Sequence, residues 1–215
     1  GTPPRPPAMD VAGLVEAMGR GVTVVDGRDR AAFAAGHVPS SLNVELNESF
    51  ASYVGWLVPF DAPVALVLPE PEAEALEEAA TQLLRIGYEH VAGWLRGGTQ
   101  AWGAAGRPLD SYPIVGIREA AAGVAADPSA TTILDVRQPT EWRGGVIPGS
   151  TRIFVAELPD HLSELRKDRP VTVLCASGHR SSIAASVLDR AGFEVRLVAE
   201  GGAGSWPGGL ERPAP

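Results

Sequence analysis

The chain repeats itself, and that repeat limits its architecture more than any other feature of the sequence. A first copy runs from Val22 through Asp26, Arg28 and Phe33 to Gly36, His37, Val38 and Pro39. A second runs from Thr131 through Asp135, Arg137, Glu141 and Trp142 to Gly145, Val146, Ile147 and Pro148. Asp26 matches Asp135, Arg28 matches Arg137, Phe33 matches Trp142 and Pro39 matches Pro148, each pair 109 positions apart. Further on, Val64–Leu68 matches Val171–Cys175, and a helical stretch follows in each copy, Glu74–Ile86 and Ser181–Ala191. Both helices end at a glycine followed by an aromatic residue, Gly87-Tyr88 and Gly192-Phe193, where glycine suits a left-handed cap. Each copy closes on a double glycine and a tryptophan: Gly97-Gly98 with Trp102, and Gly201-Gly202 with Trp206. A period this long describes two whole domains.

Within each copy, short β-branched runs alternate with helical spacing. Val22–Val25, Val64–Leu68, Thr132–Val136 and Val171–Leu174 read as buried strands, while Met9–Met18 and Glu74–Ile86 read as helices. Alternation of this kind predicts an α/β class: two domains, each a mainly parallel sheet flanked by helices. The expected boundaries are a linker-like tail over residues 1–8, a first domain over 9–107, a linker over 108–113 and a second domain over 114–212. The prolines at both ends, up to Pro7 and from Pro213, predict loose termini.

A net charge of -8 argues against a general nucleic-acid or anionic-membrane binder. No apolar run reaches the ~18 residues of a membrane span, and the opening residues carry no apolar signal segment. The single cysteine, Cys175, leaves no intramolecular disulfide, which fits a reducing cytoplasm. The histidines, His37, His90, His161 and His179, are scattered with no ligand spacing, so neither a metal nor another cofactor is expected in this chain.

A lone cysteine is ordinarily a small buried hydrophobe. The neighbours of Cys175 point elsewhere. It follows a strand and opens a short loop, Ala176, Ser177, Gly178, His179, Arg180, before a helix. Ligands of open α/β sheets bind outside the carboxyl ends of strands, where this loop falls. Gly178 allows the backbone to curl so that amides point inward as an anion nest. Ser181 or Ser182 is expected to cap the helix, whose N-terminus adds partial positive charge, and Arg180 adds a full one. All of these favour a negative charge on sulfur, whether thiolate or persulfide.

At these residues the chain resembles the rhodanese family, in two copies that cover nearly all of it. Phe33, Gly36, His37, Val38 and Pro39 are similar to the family's N-terminal signature. Val91–Trp102 and Val198–Trp206 are similar to its C-terminal one. The resemblance places Cys175 at the family's active-site position and implies that it accepts sulfane sulfur as a persulfide. Thiosulfate or a low-molecular-weight persulfide would be the donor, and a thiol or cyanide the acceptor. Closer still, the run from Cys175 to Ser182 behind a cysteine-free first copy resembles the C-terminal part of metallo-β-lactamase/rhodanese fusion proteins. That resemblance, with the linker-like opening, implies a metal-binding hydrolase-fold domain before Gly1.

The copies depart from the family pattern in two places. Val146 stands where the second copy should have a histidine, a structural feature whose loss should be tolerated. Leu68 stands where the first copy should have cysteine, and Pro69, Glu70, Pro71 and Glu72 follow it. Two residues without N–H groups and two acids cannot form an anion nest, so the first copy should be inactive. Asp135 and Arg137 are expected to pair with each other or with Glu141 and so support the loop. Asp26 and Arg28 recur in the inactive copy, which favours a structural role. Trp102 and Trp206 are expected to pack under the double glycines, His179 to lie in an exposed loop, and Arg180 either to touch substrate or to brace the loop. Three function classes fit: a sulfurtransferase, a cysteine-dependent phosphatase or arsenate reductase, and a non-catalytic docking module. The four residues between Cys175 and Arg180 favour the first, because a ring this small suits a sulfur atom better than a phosphoryl group.

Overall fold

The computed structural model describes residues 5–212, which form two compact units dividing between Ser111 and Tyr112. The terminal prolines Pro3, Pro4, Pro213 and Pro215 lie outside the described residues.

The first unit contains, in chain order, β1 (Ala8–Met9), α1 (Val11–Gly19), β2 (Thr23–Asp26), α2 (Arg30–Ala35), β3 (Leu42–Asn43), α3 (Phe50–Leu57), β4 (Val64–Val67), α4 (Glu72–Arg85), β5 (Val91–Leu95) and α5 (Gly98–Ala104). Its sheet has the order β1-β5-β4-β2-β3, parallel throughout. The central strand β4 is buried at every position, as a run of Val, Ala and Leu without polar alternation requires when both faces are covered. One apolar cluster joins Leu14 of α1, Val24 of β2, Ala65 and Val67 of β4, Leu95 of β5 and Trp102 of α5. Each fully buried side chain of this size contributes about 1.5–3 kcal/mol relative to exposure.

The second unit contains α6 (Ile117–Ala126), β6 (Thr132–Asp135), α7 (Pro139–Trp142), β7 (Thr151–Arg152), α8 (Leu158–His161), β8 (Val171–Leu174), α9 (His179–Arg190) and β9 (Val195–Leu197). Its sheet, β7-β6-β8-β9, is also all parallel. Helix α9 is buried from Ser181 to Leu188. Its serines survive there because their hydroxyls bond backward along the chain, Ser186 to the Ile183 carbonyl at 2.7 Å and Ser181 to the Gly178 carbonyl at 2.9 Å. Gly87 and Gly192 both take the left-handed conformation expected after their helices, with φ of 85° and 78°.

The expected tail and linker are drawn into the sheets. Ala8–Met9 pairs with β5, and the Pro7 carbonyl accepts the Trp94 N–H at 3.0 Å. Gly93 admits this edge: a Cβ there would stand 2.5 Å from the Pro7 oxygen. In the stretch expected as linker, the Pro108 carbonyl accepts from Trp102 Nε1 at 2.8 Å, and Asp110 exchanges backbone hydrogen bonds with His37. The Pro113 carbonyl accepts the Leu197 N–H at 2.9 Å. Open strand edges and orphan backbone groups need partners, and prolines still supply carbonyls, so these proline-containing stretches pair with the units they adjoin, while the division between the units falls within the expected linker. Among the described residues no helix is long and apolar enough to cross a membrane.

Candidate active site

Strand β8 ends at Leu174, and the next residue is Cys175, 1% exposed at the carboxyl end of the sheet's second central strand. The chain then turns through Ala176 and Ser177, both exposed, to Gly178, and α9 starts at His179. Gly178 has φ 96°, a conformation that L side chains rarely adopt. This twist aims its N–H at Cys175 Sγ, 3.1 Å away. Ser181, fully buried one turn into α9, brings its Oγ to 3.6 Å from the same sulfur. That hydroxyl lies 2.9 Å from the Gly178 carbonyl and 3.0 Å from the Val198 carbonyl, so its one proton has a choice of acceptors.

The loop after β9 holds the sulfur loop from beneath. Ala203 N–H donates to the Cys175 carbonyl at 2.9 Å. Gly202 lies so close that a Cβ would stand 2.3 Å from the Cys175 oxygen and 2.4 Å from the Ala176 oxygen. The double glycine is visible in the sequence, but not its reason: Gly202 has extended φ, and the constraint is space against a distant segment. Trp206 is half-buried against the core beside this loop, and Trp102 is buried in the first unit.

Asp135 and Arg137 pair with each other. Asp135 is fully buried at the end of β6, and Arg137 Nη2 meets its Oδ2 at 2.7 Å. The same nitrogen donates to the Gly145 carbonyl at 2.9 Å, tying the loop after β6 to the segment before Val146. Asp26 and Arg28 repeat the arrangement, Arg28 Nη2 donating to the Gly36 carbonyl at 2.9 Å. Burial pushes the Asp26 carboxyl up, against the Arg28 hydrogen bond that pulls it down. The same brace thus recurs in the copy without cysteine. His37 stacks on Phe33 with ring centroids 3.9 Å apart, and its Nδ1 lies 2.9 Å from the Phe33 carbonyl. Val146 takes that place as a buried apolar residue and keeps the backbone pairing, with Glu211.

Several expectations change. Neither Ser181 nor Ser182 caps α9: the cap position is Gly178, without a side-chain cap, because the helix starts two residues before Ser181. His179 is not in the loop but is the first residue of α9, and it is half-buried. Arg180 is not a bare positive charge. Its guanidinium is gripped in two-pronged fashion by Glu141, with Nη2 2.9 Å from Oε1 and Nη1 on Oε2. Glu141 therefore serves Arg180 rather than Arg137. The Arg180 hydrogen bond holds the Glu141 carboxyl below the usual range, against partial burial. Sequence spacing offered no sign of this pair, since 39 residues separate its members.

In the first unit Leu68, 3% exposed, stands where Cys175 stands in the second. Pro69 and Pro71 supply no amides to the following loop. Glu72 fills the neighbourhood instead: its Oε1 accepts the Gly97 N–H, from the double-glycine loop, at 2.9 Å. Burial and the Glu70 charge push the Glu72 carboxyl up.

A rhodanese-like domain family model matches residues 10–105 and 118–206. The chain is 34% identical over 79 residues to the uncharacterized protein YqhL of Bacillus subtilis, a match that covers 37% of this chain and 63% of YqhL. It is 34% identical over 80 residues to the thiosulfate sulfurtransferase GlpE of Pseudoalteromonas translucida, covering 37% of this chain and 76% of GlpE. Among solved structures, a rhodanese-like domain protein from Staphylococcus aureus is 28% identical, with a TM-score of 0.43, covering 47% of this chain and 99% of that one. With both halves matched, the chain belongs to the rhodanese-like family and carries its domain twice.

Proposed function

We propose that the second domain is a sulfurtransferase in which Cys175 carries sulfane sulfur as a persulfide. The observation that carries this reading is the Gly178 N–H directed at Cys175 Sγ from 3.1 Å, in a loop that closes into the N-terminus of α9. A backbone donor and a helix N-terminus are suited to the negative charge that a persulfide carries. The Cys175 thiolate attacks the outer sulfur of the donor. The new Cys–S–S bond forms as the donor's S–S bond breaks, and its electron pair leaves with sulfite, from thiosulfate, or with a thiolate, from an organic persulfide. A thiol or cyanide acceptor then attacks the terminal sulfur and regenerates the thiolate, in double displacement. Ser181 Oγ, at 3.6 Å, can turn its proton from a carbonyl toward the sulfur as charge develops there. Sulfur-transfer names among the relatives, GlpE included, agree with this chemistry. The first domain, with Leu68 for cysteine and Glu72 bonded across its loop, does no transfer in this reading.

Intact mass after incubation with thiosulfate or glutathione persulfide tests the assignment. The wild type should gain one sulfur atom that cyanide removes, and Cys175→Ser should gain none. Hydrolysis of an aryl phosphate that disappears in Cys175→Ser, with no sulfur gained by the wild type, would replace this reading with phosphatase chemistry.

A further inference from the structure

The charges around Cys175 are paired, and this has a consequence for donor choice. Two loops leave the carboxyl ends of the adjacent parallel strands β6 and β8, one running from Asp135 to Glu141 and one from Cys175 to Ser181. They carry two guanidiniums, Arg137 and Arg180, and two carboxylates, Asp135 and Glu141. Arg137 is held by Asp135, side chains 7% and 0% exposed. Arg180 is held by Glu141, side chains 15% and 33% exposed. Glu141 is itself fixed, because its Oε2 accepts the Gln138 N–H at 3.0 Å at the start of α7. The carboxylate is thus anchored to one element and the guanidinium to another, the first turn of α9.

We infer that Glu141 is a positioning residue that sets donor specificity: by gripping Arg180 it withholds a positive charge from the donor, and so favours organic persulfides over thiosulfate. This rests on the sulfurtransferase reading. The chemistry follows from where charge sits on each donor. In thiosulfate the atom bonded to the sulfane sulfur is a sulfonyl centre, and sulfite departs with two negative charges one bond from the reacting sulfur. An organic persulfide releases a thiolate with one, and any carboxylates lie several bonds away. A guanidinium compensated by its own carboxylate offers little to the first donor and is less needed by the second. Glu141 remains ionised across the working range, since Arg180 holds its carboxyl low, so the grip persists at neutral pH.

The test compares kcat/KM for thiosulfate and for glutathione persulfide, with a common thiol acceptor, in the full chain. Glu141→Gln keeps an oxygen for the Gln138 N–H but removes the charge. It should raise the thiosulfate-to-persulfide ratio about tenfold, mainly through KM for thiosulfate, as expected for one released charge in a partly screened site. Adding Arg180→Gln to that variant should return the ratio to the wild-type value or below it. A purely structural role for Glu141 would lower both donors together and leave the ratio fixed, which overturns the inference while leaving the sulfurtransferase reading intact. Failure of both donors to load Cys175 in the wild type overturns both.

Discussion

At Cys175 the decisive atoms belong to the backbone. The sulfur receives the Gly178 N–H, and the carbonyl of the same cysteine receives the Ala203 N–H, so the residue is fixed from both ends. Gly202 makes this possible by leaving room for two backbone oxygens. Gly202→Ala must therefore push the Cys175–Ala176 segment away, and a displacement near 1 Å costs about 100-fold in rate at a site that depends on orientation. Sulfur loading of Cys175 should slow by that order. Gly204→Ala is the control, since a Cβ there meets nothing within 4 Å. Equal loading rates in the two variants would show that the loop tolerates the extra methyl group. Ser181 and Arg180 show the same principle in side chains: both were expected near the sulfur, but their hydrogen-bond partners decided what each could offer.

Among elements, the tie between α7 and α9 matters most, because it links the loop after β6 to the helix that follows Cys175. It should be visible in pH dependence. The folded-state carboxyl of Glu141 lies below its unfolded value, chiefly through the Arg180 hydrogen bond. The unfolded chain therefore binds more protons through that window, and stability rises with pH across it. The contribution is complete above the unfolded glutamate value of about 4.3 and is lost as pH falls through the lowered folded value. Glu141→Gln should remove it, so the variant's urea midpoint should fall less steeply than that of the wild type on the acid side. Parallel curves would mean that the pair contributes nothing to folding, as many exposed pairs do. The Asp-Arg braces at the ends of β2 and β6 belong to this scale too. They hold equivalent loops in both domains, whether or not a cysteine is present.

Across the whole molecule, the two domains share a parallel strand order, but only the second has a cysteine at the head of the loop after its central strand. The difference lies in more than the loss of one thiol. After Leu68 come two prolines without amides, and Glu72 occupies the Gly97 N–H. Restoring the nucleophile alone should therefore not restore the site. Leu68→Cys in a Cys175→Ser background should take up no sulfur from thiosulfate or from glutathione persulfide, measured by intact mass. Sulfur uptake by that double variant would show that a buried thiol at a strand's end suffices and that the amides are dispensable.

The sequence by itself determined the repeat, the α/β class, the position of Cys175 after a strand and before a helix, and the poverty of the first copy's loop. These are local matters: periodicity, β-branched runs, glycine at left-handed turns and proline without N–H are written in consecutive residues. Element ends moved by a residue or two, and Ala8, Pro108 and Asp110 proved to belong to the folded units, because proline content says nothing about which strand edge needs a partner. The grip of Glu141 on Arg180 and the space that Gly202 must leave were decided only in three dimensions. Each depends on segments that are far apart in the chain and meet when the parallel sheet brings its loops to one edge.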